Sequence, residues 1–485
     1  VVGEAAVRAL VARGHTVRIV ARHADDAAQR WPHGVEPRVG DVTDAASLAG
    51  AADDCDAIVH LVGIVDESPP DVTFERVNVE GTRNVVAEAE RAGAPRLVYV
   101  SSLGADRGTS DYHRSKLAGE AIVRGYQGPW LIVRPGNVYG PGDQQISLLL
   151  KMVRALPAIP VITGKRAFQP IWADDLGHAL GAAVERDEIV AYALDVAGPD
   201  CTTMGDLLDR FERLTNRSPL RIPLPSAIAG LGLRLGQALG LDVPLNDSQL
   251  TMIDEGNVVE PPEANALATT LGVEPTPLDE GLRRLLDALP EQLPDDGVGA
   301  LHRKRFWADI RGATIGAPAL FAHFCERFQE MTPEHMDLEA EPNAPTSVLA
   351  CGQTVTMALP MRGNVQVRVA ELGPTLLTLQ TVEGHPLAGA VRFTLDALDD
   401  DAVRFQVELF DRAANVVDWL AMVAVGERLQ NASWREIVEN VVAESGGTAP
   451  DGVQSDEQTL EGGEAGQVER WLQSVALDRA RTANA

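Results

Sequence analysis

At 485 residues the chain is too long for a single core and is expected to divide into two or three domains. Its 70 acidic against 42 basic residues leave a formal charge of -28, which would repel nucleic-acid phosphates and anionic lipid heads and argues against polyanionic partners. Four scattered cysteines without a C-x-x-C pair signal neither a disulfide framework nor a zinc site and fit a reducing cytoplasm, and no apolar run reaches the roughly 18 residues of a membrane span.

In chain order, residues 5–13 read as a helix, 15–21 as a strand, 57–62 as a strand and 78–92 as a helix. Residues 96–101 and 130–134 read as further strands, with a helix over 112–124 between them. Short Val- and Ile-rich runs alternating with amphipathic stretches predict βαβ units, hence an α/β fold with a Rossmann-like, doubly wound parallel sheet. From Leu148 the pattern loosens into a small substrate-side lobe that lasts to about residue 290. Residues 289–298, with two prolines and three acidic residues, read as a linker. Beyond it come a helix at 319–329, antiparallel strands across 348–407 and one or two closing helices at 419–442, an α+β arrangement over 300–445. The Gly-, Glu- and Asp-rich residues 446–485 are expected to form an acidic, largely disordered tail, with a short helix possible at 467–481.

Several motifs carry chemistry. Tyr112 and Lys116 are spaced by four, which puts both side chains on one face of a helix. A cation beside a phenol lowers the phenol pKa, so Tyr112 is expected to exchange protons near neutrality. The second strand ends at Ala21-Arg22, where an acidic residue would select NAD; Arg22 instead suits the 2′-phosphate of NADP. Asp174-Asp175 read as helix-start carboxylates rather than a metal pair, and no metal is expected.

Val1-Val2-Gly3 with the helix that follows, Gly40-Asp41-Val42, Leu61-Val62-Gly63, N-x-x-G-T from Asn78, Y-x-x-x-K from Tyr112, and Arg134-Pro135-Gly136-Asn137-Val138-Tyr139-Gly140-Pro141 occur in the order of the extended short-chain dehydrogenase/reductase family. Phe168 to Asp175, Asp195 to Pro199 and Thr203 to Leu208 continue the match, so that nearly all of the first 290 residues resemble that family. The flavour is that of the atypical branch with the NADPH-binding accessory subunit of respiratory complex I and nucleotide-sugar epimerase-like proteins. The resemblance makes Tyr112, Lys116 and Ser102 the catalytic set, with Ser102 orienting the substrate oxygen; an alternative alignment puts Leu103 at that position. It implies that Gly3, Arg22, Asp41, Val42, Leu61, Gly63, Asn78, Tyr112, Lys116, Pro135, Asn137 and Val138 line the cofactor, with Asn78 also a helix cap.

On this reading Gly3 is the third glycine of the pyrophosphate turn, the first strand and two glycines lie upstream of residue 1, and the chain as it stands is expected to bind NADP weakly or not at all. Thr381 to Gly389, with its G-H-P-x-x-G stretch, resembles a bacterial family of the START-like or SRPBCC helix-grip superfamily, whose cavity implies an apolar ligand. His385 reads as a turn histidine, and Trp419, Leu420 and Met422 as core. The functional expectation is an NADP-dependent oxidoreductase or epimerase/dehydratase-like enzyme acting on a small molecule at a carbinol or carbonyl carbon, with NAD as the other possible cofactor. The alternative is a non-catalytic NADPH-binding assembly protein or lipid-like ligand binder.

Overall fold

A computed structural model describes residues 1–24, 31, 34–143, 145–156, 158–162, 166–224, 256–333, 349–359, 363–399, 401–415 and 427–483. Trp419, Leu420 and Met422 therefore lie outside the described residues. The chain divides into two units, the first comprising residues 1–149, 160–210 and 221–286, the second residues 150–159, 211–220 and 287–485. Residues 150–159 and 211–220, which lie within the stretch the sequence reading gives to the first domain, group with the second unit, which resumes at residue 287.

The first unit opens with helix α1 (Val2–Ala12), then β1 (Val17–Ala21) and β2 (Val35–Val39), which pair in parallel from Val17 opposite Val35 to Ala21 opposite Val39. A four-stranded parallel sheet follows, in the order β3 (Ala57–His60), β4 (Arg96–Val100), β5 (Trp130–Pro135) and β8 (Tyr192–Val196). All five residues of β4 and all six of β5 are buried, as expected of parallel strands covered on both faces. On one face Val98, Val100, Leu131 and Val133 pack against Leu176 and Leu180 of α4 (Ala173–Glu185). On the other, Leu97, Tyr99 and Ile132 meet Val86 and Ala89 of α2 (Gly81–Arg91) and Val123 of α3 (Asp111–Arg124). A single π-helical turn, Glu75–Glu80, leads into α2, so Asn78 lies inside a helical segment rather than capping one. Helix α3 is capped by Ser110, whose hydroxyl accepts from the His113 amide at 3.2 Å. Two short strands, β6 (Asn137–Tyr139) and β7 (Pro170–Trp172), pair in parallel and lead into α4.

The second unit is built on a seven-stranded antiparallel sheet. Its order is β10 (Thr354–Leu359), β11 (Gly363–Gly373), β12 (Leu376–Thr381), β13 (Leu387–Asp399), β14 (Ala402–Ala413), β9 (Val298–Arg311) and β15 (Gln454–Leu460). One face forms an apolar core in which Phe324 and Phe321 of α5 (Ala317–Glu326) meet Phe393, Phe405, Leu379 and Val369, with Ile437, Val438 and Val441 supplied by α6 (Glu427–Glu444). Where the acidic composition predicts a disordered tail, residues 454–460 form edge strand β15, in register with β9 from Leu301 opposite Leu460 to Trp307 opposite Gln454. Helix α7 (Gly463–Ala483) follows, and its Trp471 packs on Leu301, Phe410 and Leu460. Residues 289–298 are likewise not a free linker: Leu289 and Pro294 are buried, and the Gln292 amide donates to Thr381 O at 2.7 Å. Among the described residues, no helix is long and apolar enough to cross a membrane.

Candidate active site

Parallel strands deliver their C-terminal ends to one edge, where the following loops gather side chains. Beyond Val100 the chain stays beside β5 for one more step, with Ser101 N donating to Val133 O at 2.8 Å and Leu103 N to Pro135 O at 2.9 Å. That places Ser102 at the sheet edge. Tyr112, half-buried in the first turn of α3, is near enough to Ser102 for the serine hydroxyl to pull its phenol pKa down, while Ser102 Oγ itself donates to Leu103 O at 3.4 Å. Leu103, the residue of the alternative alignment, is fully buried in an apolar cluster with Ala197 and Val259.

Lys116 lies one turn further along α3 and is almost fully buried. Its Nζ donates to Val100 O at 2.7 Å and stands 4.8 Å from the centre of the Tyr99 ring. Burial pushes its pKa down to about 8, against the opposing pull of Glu120. The sequence expectation that this cation lowers the Tyr112 pKa is not met. Burial raises the Tyr112 pKa, and the nearby Ser102 hydroxyl offsets only part of that rise. The physical reason is that the Lys116 ammonium is turned to the Val100 carbonyl.

Asn78 ties this cluster to the end of β3. Its Oδ1 accepts from Ile64 N at 2.8 Å, while Nδ2 donates to Ile64 O at 3.1 Å and to Ser115 Oγ at 2.9 Å. Gly63 sits in the crook, where a Cβ would stand 3.1 Å from Lys116 Nζ and 3.4 Å from Asn78 Oδ1. Its absence leaves exposed backbone beside a buried cation, a cradle for an anionic or hydroxylated group. The structure thus brings together Ser102, Tyr112, Lys116, Gly63 and Asn78.

A second cluster forms at the ends of β1 and β2. Asp41 Oδ1 accepts from Thr43 N and Thr43 Oγ1, both at 2.8 Å. Partial burial works to raise the Asp41 pKa, but these bonds and the charges of Arg22 and Arg76 outweigh it and lower it. Arg22 is exposed nearby. Val42 packs against Gly81 at the start of α2, and Leu61 against the apolar face that carries Leu176. Gly3 lies in the first turn of α1, where a Cβ would meet nothing within 4 Å. Pro135 ends β5, while Asn137 and Val138 begin β6, half-buried.

Three groups went unnoticed in the sequence. Glu120, fully buried on α3, forms an ion pair with Arg134 at 2.7 Å. His60 donates to or accepts from Thr82 Oγ1 at 3.1 Å, and burial pushes its pKa down to about 3, helped by the charge of Lys116. His113 lies under the turn that follows Ser102, so close that a Cβ on Gly108 would stand 2.3 Å from its Nδ1. Only the spacing of Glu120 four residues after Lys116 gives a sequence signal for any of them. Asp174 pairs with Arg8 at 2.8 Å and Asp175 accepts from Thr276 N at 2.7 Å, both in the first turn of α4 as expected of helix-start carboxylates. His385 is buried in the β12–β13 turn, its Nδ1 accepting from Leu387 N at 3.0 Å.

Residues 1–151 match a family model described as NAD(P)H-binding, and residues 320–440 match a domain family of unknown function, DUF1990. The chain is 32% identical over 244 residues to the ceramide reductase of Caulobacter vibrioides, a match that spans 44% of this chain and 76% of that protein. It is 32% identical to sterol demethylase protein B of Methylococcus capsulatus over 251 residues, 45% of this chain and 73% of the relative. It is 26% identical to the mouse NADH dehydrogenase [ubiquinone] 1 alpha subcomplex subunit 9 over 253 residues, 50% of this chain and 66% of the relative.

Proposed function

The chain belongs to the NAD(P)-binding, Rossmann-like reductase and epimerase family, and from that premise we propose that it is an NADP-dependent reductase in which Tyr112 protonates a substrate carbonyl oxygen. The observation that carries this reading is that α3 sets Tyr112 and the buried Lys116 one turn apart at the C-terminal edge of the parallel sheet, next to the turn that bears Ser102. The nicotinamide cofactor, when bound, supplies the hydride. Gly63 and Lys116 would hold its ribose end, Asn78 keeping the Gly63–Ile64 backbone in place, while Arg22 and Asp41 would take the adenosine end. Pro135, Asn137 and Val138 would lie beside the nicotinamide.

Ser102 donates toward the carbonyl oxygen and orients it, and Tyr112 delivers its proton to the same atom as negative charge develops there. Burial favours the neutral phenol, so Tyr112 is held as a proton donor at neutral pH, which suits reduction better than oxidation. The second unit reads as a START-like helix-grip domain with α6 laid across the antiparallel sheet, and an apolar ligand is its expected occupant.

One feature favours a second, non-catalytic reading: Lys116 Nζ is engaged with Val100 O rather than with Tyr112. Following NADPH consumption with a panel of aldehydes, ketones and nucleotide sugars separates the two. Turnover of a carbonyl compound is expected; tight NADPH binding without turnover of any panel member would favour the second reading.

A further inference from the structure

The turn that bears Ser102 is tied down on both sides by one buried ion pair. Arg134, near the end of β5, reaches Glu120 of α3 through two parallel bonds, Nε to Oε1 and Nη2 to Oε2, each 2.7 Å. Ser101 Oγ donates to the same Glu120 Oε1 at 2.7 Å. On the far side of Ser102, Asp106 Oδ2 accepts from Arg134 Nη1 at 2.6 Å. Arg124 completes the set, donating to Glu120 Oε2 at 3.1 Å. Glu120 is fully buried and Arg134 is 8% exposed.

Such a pair is a poor source of stability, because desolvation of both charges offsets their attraction, and an apolar pair of equal volume would join α3 to β5 as well. What an apolar pair lacks is direction. A forked guanidinium on a carboxylate admits one orientation, and the remaining lone pairs and donors fix whatever they touch. Here they touch residues one before and four after Ser102, while Tyr112 and Lys116 stand eight and four residues before Glu120 on the same helix.

Building on the reductase reading of this site, we propose that Glu120 and Arg134 are positioning residues that hold Ser102 against the Tyr112 hydroxyl, Glu120 acting through Ser101 and Arg134 through Asp106. Neither touches the reacting atoms. Loss of the pair lets the Ser102 turn drift, which takes the Ser102 hydroxyl away from the Tyr112 phenol and from the carbonyl oxygen.

The test reads the Tyr112 phenol by ultraviolet titration, as the difference between the protein and its Tyr112→Phe variant, and needs neither cofactor nor substrate. Ser102→Ala sets the reference, a Tyr112 midpoint moved to higher pH by loss of the serine hydroxyl. Three variants that keep the net charge, Ser101→Ala, Arg134→Lys and Glu120→Asp, are expected to move the midpoint in the same direction. In turnover with an identified carbonyl substrate, Arg134→Lys should lower kcat by about tenfold to a hundredfold while KM changes less than about twofold, as misplacement of a reacting group does. Ser101→Ala, which removes one hydroxyl, keeps the test open should the other two variants fail to fold. A Tyr112 midpoint unchanged from the native value in folded Ser101→Ala and Arg134→Lys overturns the proposal. Shifted midpoints in a protein whose turnover does not depend on Tyr112 would overturn the reductase reading and leave the positioning role standing.

Discussion

Gly119 lies so close under Tyr99 that a Cβ at Gly119 would stand 2.3 Å from the Tyr99 hydroxyl oxygen and 3.0 Å from its ring carbon. Helix α3 therefore approaches β4 at a distance only glycine allows, and that approach brings Lys116, one turn earlier, to the Val100 carbonyl. Gly119→Ala is expected to destabilise the protein by about 1–3 kcal/mol, the range for overpacking a filled core. Tyr99→Phe in the same chain should recover part of the loss, because the hydroxyl is the nearest obstacle. Thermal melts of the two single variants and the double variant check this; additive losses would contradict it.

Lys116 gives a pH signature. Its folded pKa of about 8 lies below the ordinary lysine value of 10.5, so between those values the unfolded chain holds a proton that the folded chain has released. The unfolded state binds more protons there, and the Lys116 contribution to stability rises with pH through that window and is unfavourable below it. Lys116→Met should then stabilise the fold at neutral pH by about 1–2 kcal/mol, after allowance for the bond lost to Val100 O. The gain should shrink as pH rises toward 10. Urea denaturation of both proteins at pH 7 and pH 9.5 measures it, and a constant difference between them would contradict the assignment.

Arg22 stands at the end of β1 within electrostatic reach of Asp41. We expect it to favour NADP over NAD by about 1–3 kcal/mol, the range of a charge-assisted contact. Calorimetric titration with each cofactor should show that preference lost in Arg22→Ala. Equal affinities in the native protein would refute it.

The C-terminal strand and helix should be required for the second unit. Ending the chain at residue 445 removes one of the two strands that flank β9 and uncovers Leu301 and Phe410. Exposed edges and apolar patches promote association, so the shortened protein is expected to aggregate where the full chain does not. Light scattering at matched concentration decides this, and a monodisperse shortened protein would count against the role given to β15.

That segment also shows where sequence reading stops. Strand β15 is Gln-Ser-Asp-Glu-Gln-Thr-Leu, and only Leu460 is buried. It is held by backbone pairing to β9 and by the Arg305–Asp456 ion pair, neither of which leaves an apolar period to read. Strands β4 and β5 were legible because Leu97 to Val100 and Trp130 to Val133 are unbroken apolar runs within fully buried strands. Tyr112 and Lys116 were legible from their spacing on one helix. Glu120 was not, because a carboxylate on a helix is ordinarily solvated and only the fold brings Arg134 beside it. The direction of the Tyr112 shift was misjudged for a related reason: spacing places Lys116 on the right face but does not say which acceptor its ammonium meets.

The central claim, that Tyr112 is the proton donor of a carbonyl reduction, is tested most directly by Tyr112→Phe under saturating NADPH with an identified carbonyl substrate. The account predicts a fall in kcat of about a hundredfold or more, in the range of general acid catalysis, with NADPH affinity unchanged. A variant that turns over at the native rate would contradict it.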